Sequence, residues 1–284
     1  DDADNPTVIA DLRDASAWPA GAKPVTRTMT YDDLYRVVGL QYAYAAGDDT
    51  WVSPFDAENT GTPDPRRAKP SPHVKFDKRM LSQSWTFDWV GNTTSTDDDA
   101  HGFYDRSLGT VTNDGYRLTA ATQAGAKGGS LDTAYDDAGN LTGMRVVRSA
   151  ADCLPVGATC SQRYAYAWDE IGRLVRARRW DMPNPPAAGQ PPPSTTADVE
   201  LRYGYDATDD RVLKTAVDPA GNEVHTAYVF DSLELRRAPW EDVGGAVFDY
   251  RRDEGTEVAY LSAHGVRLAR LVYEDGGVPE VVAG

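Results

Sequence analysis

The stretch Asp97-Asp98-Asp99-Ala100-His101-Gly102 comes closest to metal chemistry in residue type and spacing. Counting Asp97 as the first position of a calcium loop puts Asp99 third, His101 fifth, Gly102 sixth and Asp105 ninth. The twelfth position should supply a bidentate glutamate, but it is Leu108, and imidazole is a poor calcium ligand. The stretch therefore reads as a solvated acidic turn. No metal and no cofactor is expected.

The other reactive residue types give no catalytic constellation. His73, His101, His225 and His264 are scattered, without the H-E-x-x-H pairing of a zinc site. A nucleophile elbow, a phosphate loop and a dinucleotide-binding glycine motif are all absent. With 44 Asp and Glu in 284 residues, no carboxylate pair stands out for glycosidase work. The expectation is a protein without catalytic residues. Cys153 and Cys160 flank six residues between two expected strands, and a disulfide there would pin the loop in an oxidising compartment. Two free thiols would remain if folding took place in the cytosol; the bond is the favoured reading. Asn92 and Asn140 head glycosylation sequons, but each follows a turn glycine, so turn geometry already accounts for both.

The elements that carry these residues are strands. Trp85, Phe87 and Trp89 alternate with Thr86 and Asp88, Tyr164, Tyr166 and Trp168 with Ala165 and Ala167, and Leu201, Tyr203 and Tyr205 with Arg202 and Gly204. Period-two alternation places each set on one face of a strand. The composition agrees: 15 Tyr and 7 Trp stand against 6 Phe and 4 Met, and rings with polar tips suit half-buried sheet faces. Only Leu261–Val272 approaches a helical pattern, and Gly265 interrupts it. A net charge of −15 argues against a nucleic-acid backbone or an anionic lipid surface as partner. No apolar run approaches the ~18 residues of a membrane span, so no membrane insertion is expected.

At the strand ends a unit recurs. Tyr135-Asp136-Asp137-Ala138-Gly139-Asn140-Leu141 reads ring, Asp, two variable positions, Gly, Asn, apolar. Trp168-Asp169-Glu170-Ile171-Gly172-Arg173-Leu174 has the same form, and Phe87-Asp88-Trp89-Val90-Gly91-Asn92 shares all but the last position. Weaker copies begin at Tyr31-Asp32, Tyr205-Asp206 and Phe230-Asp231, and Val217-Asp218-Pro219-Ala220-Gly221-Asn222 is the same turn without the ring. Aspartate accepts hydrogen bonds from the backbone just ahead of it, and glycine supplies a positive φ. Each unit thus predicts a hairpin. Leu131–Tyr135 should pair with Leu141–Arg148, Arg163–Trp168 with Leu174–Trp180, and Arg211–Val217 with Glu223–Phe230. The expected fold is all-β: repeated antiparallel hairpins in one region spanning 1–284, with inserted loops at 47–71, 97–115 and 183–196. Both termini look cut, so the chain is expected to be a piece of a longer protein.

These units resemble the tyrosine-aspartate (YD) repeats of bacterial RHS proteins, including the B and C components of insecticidal toxin complexes and, more distantly, animal teneurins. Phe103-Tyr104-Asp105-Arg106-Ser107-Leu108-Gly109 adds to the likeness with the C-type sequences. The resemblance covers roughly residues 28–240. It implies a β-ribbon spiralling into a hollow shell around a C-terminal toxin, with the remainder of the shell and that toxin as partners, delivered outside the cell. The self-cleaving core segment and the toxin domain of the family have no counterpart here, so the implied role is wall without enzyme. The rival expectation is an extracellular adhesion or carbohydrate-binding module that uses the aromatic rows as a sugar platform. Recurrence of the rings in every unit favours packing over binding.

Overall fold

The computed structural model describes residues 1, 3–14, 16, 18, 23–45, 73–74, 78–104, 106–154, 157–236, 240–245, 247–250, 256–264, 266–273 and 280–283. The fold is all-β, with no α-helix among the described residues. The expected inserted loop at 47–71 lies outside them.

The chain groups into two compact units: Asp1–Asp136 with Gly143–Arg163 and Asp181–Pro192, and Asp137–Thr142 with Tyr164–Trp180 and Pro193–Gly284. The first holds strands β1 (Val8–Ala10), β2 (Val25–Tyr31), β3 (Val37–Tyr44), β4 (His73–Val74), β5 (Ser82–Phe87), β6 (Thr93–Asp98), β7 (Gly109–Asp114), β8 (Arg117–Gln123) and β9 (Gly129–Tyr135). It also holds most of β10 (Leu141–Arg148), and β11 (Cys153–Leu154). Apart from the short β4 and β11, which pair only with each other, β1 to β9 form a meander in which each strand is antiparallel to the next. The second unit takes up most of β12 (Gln162–Trp168) and β13 (Leu174–Asp181). It continues with β14 (Val199–Tyr205), β15 (Arg211–Val217), β16 (Glu223–Phe230), β17 (Leu233–Arg236), β18 (Trp240–Gly244) and β19 (Val247–Tyr250). The last strands are β20 (Thr256–Ala263), β21 (Val266–Tyr273) and β22 (Glu280–Ala283). Here β13 to β17 and then β20 to β22 form the antiparallel meander, while β18 and β19 pair apart from it.

The three expected hairpins are present, and Leu261–Val272 is a hairpin rather than a helix. One loop differs from expectation. Of 97–115, residues 97–98 end strand β6, and residues 109–114 are strand β7, paired with β8 by Val111↔Ala121 and Thr112↔Ala120. Gly-Thr-Val-Thr alternates too briefly for its period to stand out beside an acidic neighbour.

The first unit carries its core in two places. Val111, Ala121 and Leu131 form one buried row across β7, β8 and β9. Asp132 lies on the opposite face, as alternation requires, and the proline-rich connection crosses the strands there. Pro185 and Ala188 in that connection are buried. The Ala188 amide donates to Asp132 Oδ1 at 2.7 Å, and the Arg163 guanidinium donates to the carbonyls of Ala188 and Gln190 at 2.7 and 2.9 Å. Arg163 is only 2% exposed. The expected loop at 183–196 is thus, over its first half, a bound strap.

Candidate functional site: the interlocked turns

The recurring aspartate builds the same turn wherever its bonds are described. In the turn after β12, Asp169 Oδ1 accepts from the amides of Ile171 and Arg173 at 3.1 and 2.8 Å. Its Oδ2 accepts from Arg173 Nε at 2.7 Å. Asp88 does the same with Val90, Asn92 and the Asn92 side chain, and Asp32 with Leu34, Arg36 and the Arg36 side chain. Asp206 accepts from the amides of Thr208 and Asp210. Asp218, on the ringless copy, repeats the Asn version with Asn222. These donors hold all five carboxyls below the usual aspartate range. The largest cause is the Arg36 amide for Asp32, the Arg173 amide for Asp169, and the side chains of Asn92, Thr208 and Asn222 for Asp88, Asp206 and Asp218.

The fourth residue of every such turn has a positive φ. It is glycine at Gly91 (97°), Gly139 (90°) and Gly172 (84°), but Tyr35 (60°) and Asp209 (68°) adopt the same region. The carboxylate fixes the two flanking amides, so the backbone conformation is imposed even where the residue pays steric strain.

Successive turns are then tied together through the ring and the residue at the fifth position. Tyr205 Oη donates to the Leu174 carbonyl at 2.8 Å, and Trp168 Nε1 to that of Leu141 at 2.8 Å. Tyr135 Oη donates to the Leu118 carbonyl at 2.9 Å. In each case a ring reaches the opening of the preceding outgoing strand. In the other direction, Arg173 Nη1 pairs with Asp209 at 2.7 Å, and its guanidinium lies 4.9 Å from the Tyr205 ring centre. Arg36 Nη1 donates to the Asp88 carbonyl at 2.9 Å and its guanidinium sits over Phe87 at 4.7 Å. Phe87 has no hydroxyl to offer, so the arginine supplies the link alone. Asn92 Nδ2 donates to the Gly115 carbonyl at 2.8 Å. The site is therefore a chain of clamps along one end of the strands in each unit.

Two sequence readings are corrected by this geometry. Phe230 and Asp231 do not form the unit: Phe230 pairs directly with Leu233, leaving a two-residue turn, and the ring is 69% exposed. No glycine or asparagine follows at the required spacing, so the shorter turn closes first. The acidic stretch 97–102 spends its carboxylates internally. Asp99 accepts from Lys78 and from the amides of Leu81 and Ser82, Asp97 contacts His101 and Gln123, and Asp98 Oδ1 caps Ala100 and Gly102. Cys153 and Cys160 are joined in a disulfide, beside the pairing of Cys153 with Val74. What sequence reasoning missed is the forward reach of Arg36 and Arg173; the only available signal was arginine where other copies have asparagine.

The fold and these clamps define a class: an antiparallel hairpin-repeat sheet whose successive turns are bonded to one another. No family model and no curated protein matches the chain. Among solved structures it is similar to a TcdB2–TccC3–TEV crystal structure, at 16% identity and a TM-score of 0.39, over 90% of this chain and 13% of that one. It is also similar to TcdB2–TccC3 without its hypervariable C-terminal region (17%, 0.38, 90% and 13%). A third likeness is to the Photorhabdus luminescens Tc holotoxin pore (15%, 0.37, 92% and 12%). The chain spans about an eighth of the length of these proteins.

Proposed function

We propose that the chain is a structural, non-enzymatic length of an RHS/YD-repeat shell that encloses a toxin and helps deliver it outside the producing cell. The observation that supports this reading is the clamp. Each turn binds its own residues through one carboxylate and its neighbour through a ring or an arginine, so the sheet lengthens by adding like units. A hairpin in such an array finds partners for both of its edges, which an isolated hairpin lacks. The partners are the remainder of the parent shell and its passenger. The test is electron cryomicroscopy of the parent polypeptide, combined with protease digestion of its passenger. Residues 28–240 should lie in a closed wall, with the passenger cleaved far more slowly than when free. An open sheet, or a passenger digested at its free rate, would refute the proposal.

One observation favours the rival reading of a carbohydrate-binding module: Trp89 and Tyr116, at neighbouring turns of the first unit, are 89% and 79% exposed. Exposed rings stack on sugar faces. Saturable glycan binding that quenches tryptophan fluorescence and disappears in Trp89→Ala would replace the shell reading with that one.

A further inference from the structure

The strands of the second unit carry a cationic cluster in a chain whose net charge is −15. Registers Tyr203↔Lys214, Lys214↔Thr226 and Thr226↔Arg236 set these four residues in a row across β14 to β17 on one face. Tyr228 lies two residues from Thr226, hence on the same face, opposite Glu234. Arg211 at the start of β15 covers both rings, with its guanidinium 5.5 Å from the Tyr203 ring centre and 4.7 Å from that of Tyr228.

Among the described residues, the one carboxylate facing this row is already used. Glu234 Oε2 accepts from Arg236 Nε at 2.8 Å and its Oε1 from Tyr260 Oη at 2.9 Å, while Arg236 Nη2 donates to Tyr260 Oη at 3.0 Å. This closed triangle leaves Lys214 without an acid. Among the described residues, the Lys214 ammonium makes no hydrogen bond or ion pair, and neither does the Tyr203 hydroxyl make a hydrogen bond. Both are half-buried. A half-buried ammonium without a counter-ion, flanked by two arginines, is an unfavourable arrangement that an anion would relieve. Burial first, then Arg236 and Arg211, hold the Lys214 amine below the ordinary lysine range, while Glu234 opposes them. Burial raises the Tyr203 phenol, which stays protonated as a donor at neutral pH.

We propose that Lys214, Arg211 and the Tyr203 hydroxyl form an anion-binding site on this sheet face, and that its ligand is a side-chain carboxylate of an acidic peptide segment. Two unengaged donors of neighbouring strands match the two oxygens of a carboxylate. The rings of Tyr203 and Tyr228 supply flat apolar walls for the aliphatic stem of a glutamate. The site stands whether or not the sheet belongs to a shell.

The experiment is trace acylation of the lysines of the whole chain at low ionic strength, read peptide by peptide by mass spectrometry. N-acetyl-tetraglutamate amide should slow modification of Lys214 several-fold and leave the other lysines unchanged, and tetraglutamine should do nothing. Arg211→Gln should weaken the protection about tenfold, as expected for loss of one charged contact. Its circular dichroism should match that of the parent chain, which separates loss of the site from loss of the fold. Absence of protection, equal protection by tetraglutamine, or uniform slowing of all lysines would overturn the site. Stronger protection by inorganic phosphate at equal concentration would overturn the carboxylate assignment.

Discussion

Gly143 in β10 is the position at which adding one carbon should say most about this fold. A Cβ there would lie 2.6 Å from the Ala188 carbonyl oxygen and 2.9 and 3.1 Å from the two terminal nitrogens of Arg163. Ordinary contact begins near 3.4 Å, so the methyl of Gly143→Ala overlaps a backbone atom by most of an ångström. Either the strap moves outward or the strand beneath it does. Overpacking of this kind costs about 1–3 kcal/mol. If the strap is displaced instead, the charged bonds from Arg163 to the carbonyls of Ala188 and Gln190 are lost, each worth about 1.5–3 kcal/mol. The cheaper route sets the cost, so urea titration should show a destabilisation of about 1–3 kcal/mol, with a Tm lowered by about 2–12 °C. Limited proteolysis should then cut within 183–192 much faster than in the parent chain. Gly189→Ala is the matched control: it lies in the same strap, a Cβ there meets nothing within 4 Å, and it should be neutral. A Gly143→Ala change below about 0.5 kcal/mol, or equal effects at the two positions, would refute the reading of the strap as bound.

The turns offer a pair of opposite effects: Gly172→Ala should destabilise by about 1–2 kcal/mol in urea unfolding, because φ at this position is 84°. Tyr35→Gly should stabilise or be neutral, since Tyr35 holds φ of 60° at the equivalent place. The depressed aspartate values give a pH dependence of definite sign. Folded values below the unfolded one of about 3.9 mean that the turns contribute stability above that pH and lose it as pH falls through the folded values. Thermal melts should therefore show Tm falling below about pH 4, and Asp88→Asn should flatten that fall. Reducing the Cys153–Cys160 disulfide, which closes a separation of seven residues, should cost about 2–3 kcal/mol in urea unfolding of the reduced against the oxidised chain.

Strand alternation, the turn aspartate and the positive-φ glycines were legible in the sequence because each is decided within seven residues. Asp169, Gly172 and Arg173 bind one another, so their spacing alone specifies the turn. The same locality explains the error at Phe230-Asp231. Two matching residues resemble the start of a unit, while the turn that forms depends on where the next strand begins. Tyr35 shows the converse, since a turn can impose a positive φ on a residue that gives no such signal.

The sequence by itself determined an all-β chain of hairpins, their pairing partners and the absence of a recognisable catalytic motif. Tertiary structure alone decided which residues of different hairpins meet. Arg163 grips carbonyls 25 and 27 residues away, Arg36 reaches the Asp88 carbonyl across 52 residues, and Lys214 is left without a carboxylate because Glu234 is taken by Arg236 and Tyr260. The physical reason is one of range. Local hydrogen bonds are fixed by covalent spacing, which a sequence displays directly. Contacts between hairpins depend on strand register and on the path of the connections, and in a sequence rich in arginine and acid every such pairing looks equally available.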